Sequence, residues 1–179
     1  FAGTRDPQRP LIYCSLGSHW DTDLKLISAV LEVFRRREGW DLVLGLGHKT
    51  AVDSFDDVPP NVLLLGWAPQ FDVLRQAAVA LTHGGISSVN ECIANGVPMV
   101  GCSTNRVDQN GNVARIVFHG LGISVDRARA GPDELEAAIE TVLSDQGYKR
   151  RCEEMAREFE RYRRDAIAEN LIESRLAET

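Results

Sequence analysis

Short apolar segments that alternate with amphipathic ones constrain the fold of this 179-residue chain more than any other sequence feature. Six segments are apolar and of strand length: 11–15, 41–46, 61–65, 79–82, 97–101 and 123–126. Others space their apolar residues by three and four, as helices do: 21–37, 71–76, 87–95, 109–118, 134–143, 146–162 and a last stretch to Leu176. We therefore predict an α/β fold, a Rossmann-like parallel sheet of about six strands with helices on both faces, as a single domain over residues 1–179.

Composition argues against several classes of partner. The chain has 20 Lys and Arg against 26 Asp and Glu, a net charge of -6, whereas binding to nucleic acid or anionic membranes depends on clustered cations. No apolar run approaches the roughly 20 residues that span a bilayer. The four cysteines are far apart and lack zinc-type His spacing. We expect no nucleic-acid partner, no membrane-spanning segment, no bound metal, reduced thiols and a cytoplasmic location.

Two familiar nucleotide-binding motifs are missing from the turns that follow the strands. The turn from Gly45 to Thr50 contains residue types of a phosphate-binding loop, but His48 separates Gly47 from Lys49 and breaks the required spacing. The pattern G-x-G-x-x-G does not follow the first strand. Both a nucleoside triphosphate site and a nicotinamide dinucleotide site are therefore disfavoured.

A different turn, which begins at His83 and reads His-Gly-Gly-Ile-Ser-Ser, joins a predicted strand to a predicted helix. Gly84 and Gly85 allow close approach of a ligand to the backbone, and the helix N-terminus presents free N–H groups to an anion. Ser87, Ser88 and His83 add side-chain donors. The pattern predicts a diphosphate site, and the alternative is a tight turn in which Ser87 only caps the helix.

Two further residues extend this site toward a nucleoside. Glu91 lies one turn after Ser87 and Ser88 on the same helix face, where a carboxylate can accept hydrogen bonds from both hydroxyls of a ribose. The alternative is a salt-bridged or solvent-facing glutamate. Trp67 follows another predicted strand and offers an indole for stacking on a base, with backbone groups of Ala68 beside it. The alternative for Trp67 is packing in the interior.

In their order along the chain, these motifs resemble the donor-binding signature of UDP-glycosyltransferases of family 1, which include plant secondary-product and bacterial macrolide-type enzymes. The matching elements are Trp67-Ala-Pro-Gln70, His83-Gly-Gly85, Ser88, Glu91, Gly96-Val-Pro98 and Asp108-Gln109. The segment Tyr13-Cys-Ser-Leu-Gly17-Ser18 also looks like the family's first strand and phosphate-contacting loop. The region 67–115 carries the best match.

The resemblance implies the C-terminal half of a GT-B enzyme, which has two Rossmann-like domains and holds its nucleotide sugar mainly in the C-terminal one. By this resemblance Trp67 stacks on uracil, the backbone of Ala68 pairs with the edge of the base, and Gln70 and Glu91 hold the ribose. The implied diphosphate contacts are His83, Gly85, Ser88 and Ser18, and Gly17, Gly84 and Ser87 complete that part of the site. Asp108 and Gln109 are implied to bond hydroxyls of the transferred sugar.

Two segments depart from the plant pattern. Ile86 stands where plant members carry Trp and Ser87 where they carry Asn, and the Ile points to the bacterial or fungal side of the family. The segment 101–107 lacks the Pro that usually precedes the Asp-Gln pair and is about one residue longer. This difference bears on the positions of Asp108 and Gln109 and so on the sugar preference.

The implied function is to bind a nucleotide diphosphate sugar, UDP-sugar in the first place, as the donor half of an inverting glycosyltransferase that acts on a small-molecule acceptor. In the family the catalytic His and its Asp belong to the other domain. We therefore expect no catalytic residue and no cofactor in this chain, and no activity from it alone. The chain begins at Phe1 rather than Met, which predicts a piece of a longer protein. The missing N-terminal acceptor domain would be supplied in cis or by a partner chain, with helices of residues 144–179 packing toward it.

Two other functions stay open. The chain could be the non-catalytic donor-binding subunit of a split glycosyltransferase, or the domain of a GT-B nucleotide-sugar 2-epimerase. The epimerase is the weaker alternative because it needs carboxylates near the sugar, for which only Asp108 is a candidate. The base also stays open between uracil and thymine, although a glutamate that binds both ribose hydroxyls favours uridine.

Overall fold

A parallel β-sheet forms the centre of the computed structural model, which describes residues 5–17, 23–47, 50–104 and 108–177. Within these ranges the sheet has six strands in the order β3-β2-β1-β4-β5-β6, every neighbouring pair being parallel. The strands are β1 Leu11–Ser15, β2 Asp41–Gly45, β3 Val62–Leu65, β4 Val79–Thr82, β5 Met99–Gly101 and β6 Gly122–Ser124. This is the Rossmann strand order, and it confirms the predicted fold class.

Helices connect most of these strands. They are α1 Leu24–Arg36, α2 Gln70–Leu74, α3 Ile86–Ala94, α4 Gln109–Phe118, α5 Pro132–Ser144, α6 Gln146–Arg164 and α7 Ile167–Ala177. The connection from β2 to β3 differs from a helical crossover, since in its described part it contains only the 3-10 turn Val52–Ser54. This segment has no long amphipathic stretch, and the strands on its two sides still pair in parallel.

The core lies on both faces of the sheet because side chains alternate along each strand. Ile12 and Leu42 point to one face, where Phe34 of α1 and Ile139 of α5 pack on them. The other face carries Tyr13, Val43 and Ala80 of the strands, covered by Val89 of α3, Ile116 of α4 and Cys152 of α6, among others. Helices therefore cover both faces, as the sequence pattern predicts.

The last two helices are less and less buried against this core toward the C-terminus. Cys152 in the first half of α6 is fully buried against α3, but the side chains of Leu171, Ile172 and Leu176 on α7 are exposed. Exposed apolar side chains of this kind are what we expect of a helix that packs toward another domain. What covers them stays a prediction.

Two expectations from composition can be compared with the fold. All four cysteines are buried and unpaired, and burial raises the pKa of the Cys102 and Cys152 thiols to about 12. These thiols therefore stay protonated and act as small apolar core groups. Over the described ranges, each helix is too short or too polar to cross a membrane.

Candidate functional site

A cavity of about 600 Å³ opens at the carboxyl ends of the strands. This is where ligands bind in open parallel sheets, because loops from successive strands meet at that edge. Ten residues predicted to bind the donor line it: Gly17, Trp67, Ala68, Gln70, His83, Gly85, Ser87, Ser88, Glu91 and Gln109. Residues up to 92 positions apart in sequence are thus gathered around one space.

The N-terminus of α3 forms one wall of this cavity. The helix starts at Ile86 with Gly85 as its N-cap, and no side chain caps it, so the alternative in which Ser87 caps the helix is wrong. The first N–H groups of a helix have no intrahelical acceptor and carry the positive end of the helix dipole. No acidic residue occupies the first turn of α3. This wall therefore suits an anion.

His83 lies between the two glycine-containing segments of the site. A Cβ at Gly85 would come within 2.6 Å of His83 Nε2, and one at Gly17 within 3.4 Å. The absence of a side chain at Gly85 is therefore what allows the imidazole to sit against the helix N-terminus. His83 Nδ1 lies 3.5 Å from the carbonyl oxygen of Ser15. Burial lowers the pKa of His83 below its usual range, so the ring is neutral near pH 7.

A hydrogen-bonded group links the first residue of α2, which follows β3, to α3. Gln70 Nε2 donates to Glu91 Oε2 at 2.8 Å and to Ser88 Oγ at 3.3 Å. Tyr13 Oη donates to Gln70 Oε1 at 3.0 Å. The Glu91 carboxylate is half-buried and lines the cavity. The Glu91 carboxylate is therefore available to hydroxyl donors inside the cavity, and its contact with a ribose stays a prediction.

Trp67 lies at the rim of the cavity. Its side chain is 66% exposed, so the alternative in which it packs in the interior is wrong. The neighbouring Ala68 is buried and holds the backbone of this turn against the protein. An exposed indole beside a polar cavity is a platform on which a planar ring can stack.

Comparison with known proteins shows to which family the chain belongs. A sequence profile described as "UDP-glucoronosyl and UDP-glucosyl transferase" matches residues 49–159. The chain belongs to this family. The match includes the Trp67 turn, the His83 turn and Glu91, which confirms the resemblance found in the sequence.

Individual relatives show how much of a whole protein the chain represents. It is 34% identical to the glycotransferase of kitacinnamycin, covering 95% of this chain and 44% of that one with a TM-score of 0.87. With CalG4, the calicheamicin glycosyltransferase, it shares 26% identity, covering 96% and 44% with a TM-score of 0.88. It is 29% identical to demethyllactenocin mycarosyltransferase of Streptomyces fradiae, covering 94% of this chain and 36% of that protein. The chain therefore spans less than half the length of these relatives.

Three of the residues implied by the family resemblance do not line the cavity or cannot be described there. Gly84 is buried behind it with a φ of +85°, and Asp108 is exposed beside the start of α4. Ser18 lies outside the described residues. The predicted ligand contacts of all three stay predictions.

Gln109 joins the start of α4 to the segment after β5, and Asn112 joins it to the His83 turn. Gln109 is buried, and its Oε1 accepts from the backbone N of Thr104 at 3.0 Å and from the Thr104 hydroxyl. Asn112 Nδ2 donates to the Gly84 carbonyl at 2.9 Å and to Asp108 Oδ2 at 2.7 Å. Asn112 thereby connects the predicted diphosphate turn to the predicted sugar-binding carboxylate.

Sequence reasoning assigned no role to Tyr13 or Asn112. Asn112 carried a local signal, since it lies four residues after Asp108 and hence on the same face of α4. Tyr13 had only its place in the first-strand motif, and no local pattern joins it to Gln70, 57 residues later. In the part of the chain that the structure describes, no cluster of three or more His, Cys, Asp or Glu could hold a metal ion.

Proposed function

We propose that this chain is the donor-binding part of a glycosyltransferase and that its cavity binds a UDP-sugar. Uracil would stack on Trp67, the ribose hydroxyls would bond to Glu91, and the diphosphate would lie at the N-terminus of α3. The observation that carries the proposal is the contact between Gln70 Nε2 and Glu91 Oε2. It joins the segment that follows Trp67 to α3, the helix whose N-terminus forms the anion-binding wall.

Charge distribution supports an anionic ligand although the chain has a net charge of -6. Backbone N–H groups at the start of α3 would supply the attraction, so that binding needs no basic surface. The Glu91 carboxylate lies further along the helix, away from these groups, where it can serve the neutral ribose. A site of this kind separates the phosphate from the acidic side chain that would repel it.

The transfer step that we propose is an inverting displacement at the anomeric carbon, with UDP as the leaving group. As the anomeric carbon–oxygen bond breaks, negative charge grows on the diphosphate, and N–H groups of α3 together with His83 would stabilise it. These donors act without a metal ion. The base that takes the proton from the acceptor hydroxyl would belong to another domain, so we expect the 179-residue chain alone to be inactive.

The exposed apolar residues of α7 are evidence for a further domain that covers them. Leu171, Ile172 and Leu176 have more than half of their surface exposed, and the chain covers only 44% of the glycotransferase of kitacinnamycin. We propose that residues 144–179 pack toward an acceptor-binding domain, present on the same polypeptide or on a partner.

UDP titration of the 179-residue chain tests the donor assignment. We expect binding within the millimolar range and, in Glu91→Ala, a loss of about 10- to 100-fold, because hydrogen bonds to a charged group contribute about 1.5–3 kcal/mol. Glu173→Ala on α7, an exposed glutamate away from the cavity, is the matched control and should bind like the wild type. Absence of heat at millimolar UDP, or equal affinity in Glu91→Ala, would contradict the assignment.

The pH dependence of nucleotide-sugar binding tests the role of His83. In the free chain burial depresses the pKa of His83, whereas a bound diphosphate would favour the imidazolium and raise it. Binding then takes up a proton, so affinity should rise as pH falls through the bound-state pKa and level off below the free-state value. With UDP-glucose, whose diphosphate diester does not titrate near neutrality, we expect a gain of about 3- to 10-fold from pH 8 to pH 6.

Calorimetry in buffers of different ionisation enthalpy measures this proton uptake directly. His83→Gln keeps a side-chain N–H but cannot gain charge, so it serves as the matched variant. Its binding should be nearly independent of pH over the same range. An equal pH slope in wild type and variant would rule out the proposed contact.

A further inference from the structure

We infer that Tyr13 is a positioning residue that sets the preference of this site for ribose over deoxyribose, acting through the amide of Gln70. The inference rests on the proposed function, because it assumes that Glu91 binds the ribose. Tyr13 lies in β1 with its side chain directed to the face covered by α3, and it is only 4% exposed. Tyr13 is among the residues that line the cavity, and its hydroxyl contacts Gln70.

The direction of the Gln70 amide is determined by the groups at its two ends. A carboxylate can only accept, so the end of the amide that contacts Glu91 must be Nε2, at 2.8 Å. The opposite end, Oε1, then faces Tyr13 Oη at 3.0 Å, and the phenol must be the donor. A flipped amide would place two acceptor oxygens against each other at Glu91. Tyr13 therefore stabilises the one orientation in which Gln70 supports the carboxylate.

The phenol keeps its proton under all ordinary conditions. Burial raises the pKa of Tyr13 above its usual range, and the nearby Glu91 carboxylate contributes in the same direction. Hydrogen bonds in such a chain, from phenol to amide to carboxylate, polarise one another. The two hydrogen bonds, from Tyr13 to Gln70 and from Gln70 to Glu91, thus hold the carboxylate of Glu91 in a fixed position before any nucleotide binds.

This fixed position matters for selectivity rather than for binding in general. Two hydroxyls of a ribose need both carboxylate oxygens at defined places, whereas a deoxyribose offers one hydroxyl fewer. A carboxylate that moves because Gln70 has lost its support should lose most of the contact with the 2′-hydroxyl. Base stacking on Trp67 and diphosphate binding at α3 do not involve these hydrogen bonds.

Tyr13→Phe separates the hydroxyl from the packing of the ring, since Phe fills the same space beside Val43 and Ala80. We would measure dissociation constants for UDP and 2′-deoxy-UDP by calorimetry. We expect the ratio that favours UDP to fall by about 3- to 10-fold, the effect of one hydrogen bond, while affinity for 2′-deoxy-UDP changes less than twofold. Tyr148→Phe, at a half-buried tyrosine of α6, is the matched control and should leave the ratio unchanged.

A double-mutant cycle with Gln70→Ala shows whether the effect passes through the amide. Gln70 lies half-buried at the rim, so this second variant tests the same donors without altering the core. In the Gln70→Ala background, Tyr13→Phe should cause no further loss of the ratio. An unchanged ratio in Tyr13→Phe, or an additive loss in the double variant, would overturn the inference while leaving the proposed function intact. Failure of the wild type to bind UDP would instead overturn the proposed function itself.

Discussion

Gly84→Ala is expected to lower the free energy of unfolding by about 2–4 kcal/mol, from left-handed backbone strain of about 1–2 kcal/mol and a comparable cost of overpacking. Gly84 has a φ of +85°, and a Cβ there would lie 2.7 Å from Val113 Cγ2 and 3.0 Å from the Gln109 carbonyl oxygen. The backbone contact cannot be relieved by a rotamer change, so the turn or α4 must shift. Denaturant unfolding followed by circular dichroism would measure the loss.

Gly111→Ala is the matched control for this substitution. Gly111 lies within α4, and a Cβ there would meet nothing within 4 Å. Alanine in a helix interior is favoured over glycine by roughly 0.5–1 kcal/mol, so this variant should be more stable than the wild type. Equal stabilities of the two variants would show that the His83 turn does not depend on close packing against α4.

Trp67→Ala is expected to weaken UDP binding by about 10- to 100-fold without lowering stability. Stacking of a base on an aromatic side chain contributes about 1–3 kcal/mol, whereas the exposed indole, 66% accessible, adds little to the core. Calorimetry would give the affinity and thermal unfolding the stability. Trp67→Phe, which keeps an aromatic face, should recover part of the loss.

Phe118→Ala provides the control for removing an exposed aromatic ring. Phe118 is 83% exposed at the end of α4 and does not line the cavity, so its removal should leave UDP affinity unchanged. If Trp67→Ala bound UDP as tightly as Phe118→Ala, the base would have to bind elsewhere in the cavity.

Each strand boundary lies within two residues of its predicted position, and two of the differences have a physical cause in neighbouring elements. β1, β4 and α4 have the predicted bounds. β5 was expected from residue 97 but begins at Met99, because the N–H of Val97 bonds to the Cys92 carbonyl at 2.8 Å and closes the end of α3. β6 begins one residue earlier than expected, at Gly122, and ends at Ser124 rather than at 126; a Cβ at Gly122 would clash with the Met99 carbonyl oxygen. Neither helix closure nor steric exclusion by a neighbouring strand is visible in apolar patterning.

The candidate site was predictable to the extent that its parts are local motifs. The His83 turn is a strand, two glycines and a helix start, and each is encoded within a few residues. The hydrogen bond that supports this turn is not local, because Asn112 donates to the Gly84 carbonyl from 28 positions away in the sequence. The different roles of Gly84, which packs against α4, and Gly85, which makes room for His83, also depend on partners distant in sequence.

The sequence by itself determined the α/β class, the turns at which a ligand would bind and the family motifs, because hydrophobic period and turn chemistry are properties of neighbouring residues. Only the tertiary structure decided that Tyr13, Gln70 and Glu91 form one chain of hydrogen bonds. That contact requires β1, the start of α2 and α3 to meet at one edge of the sheet, and the strand order that brings them together is set by packing over the whole domain.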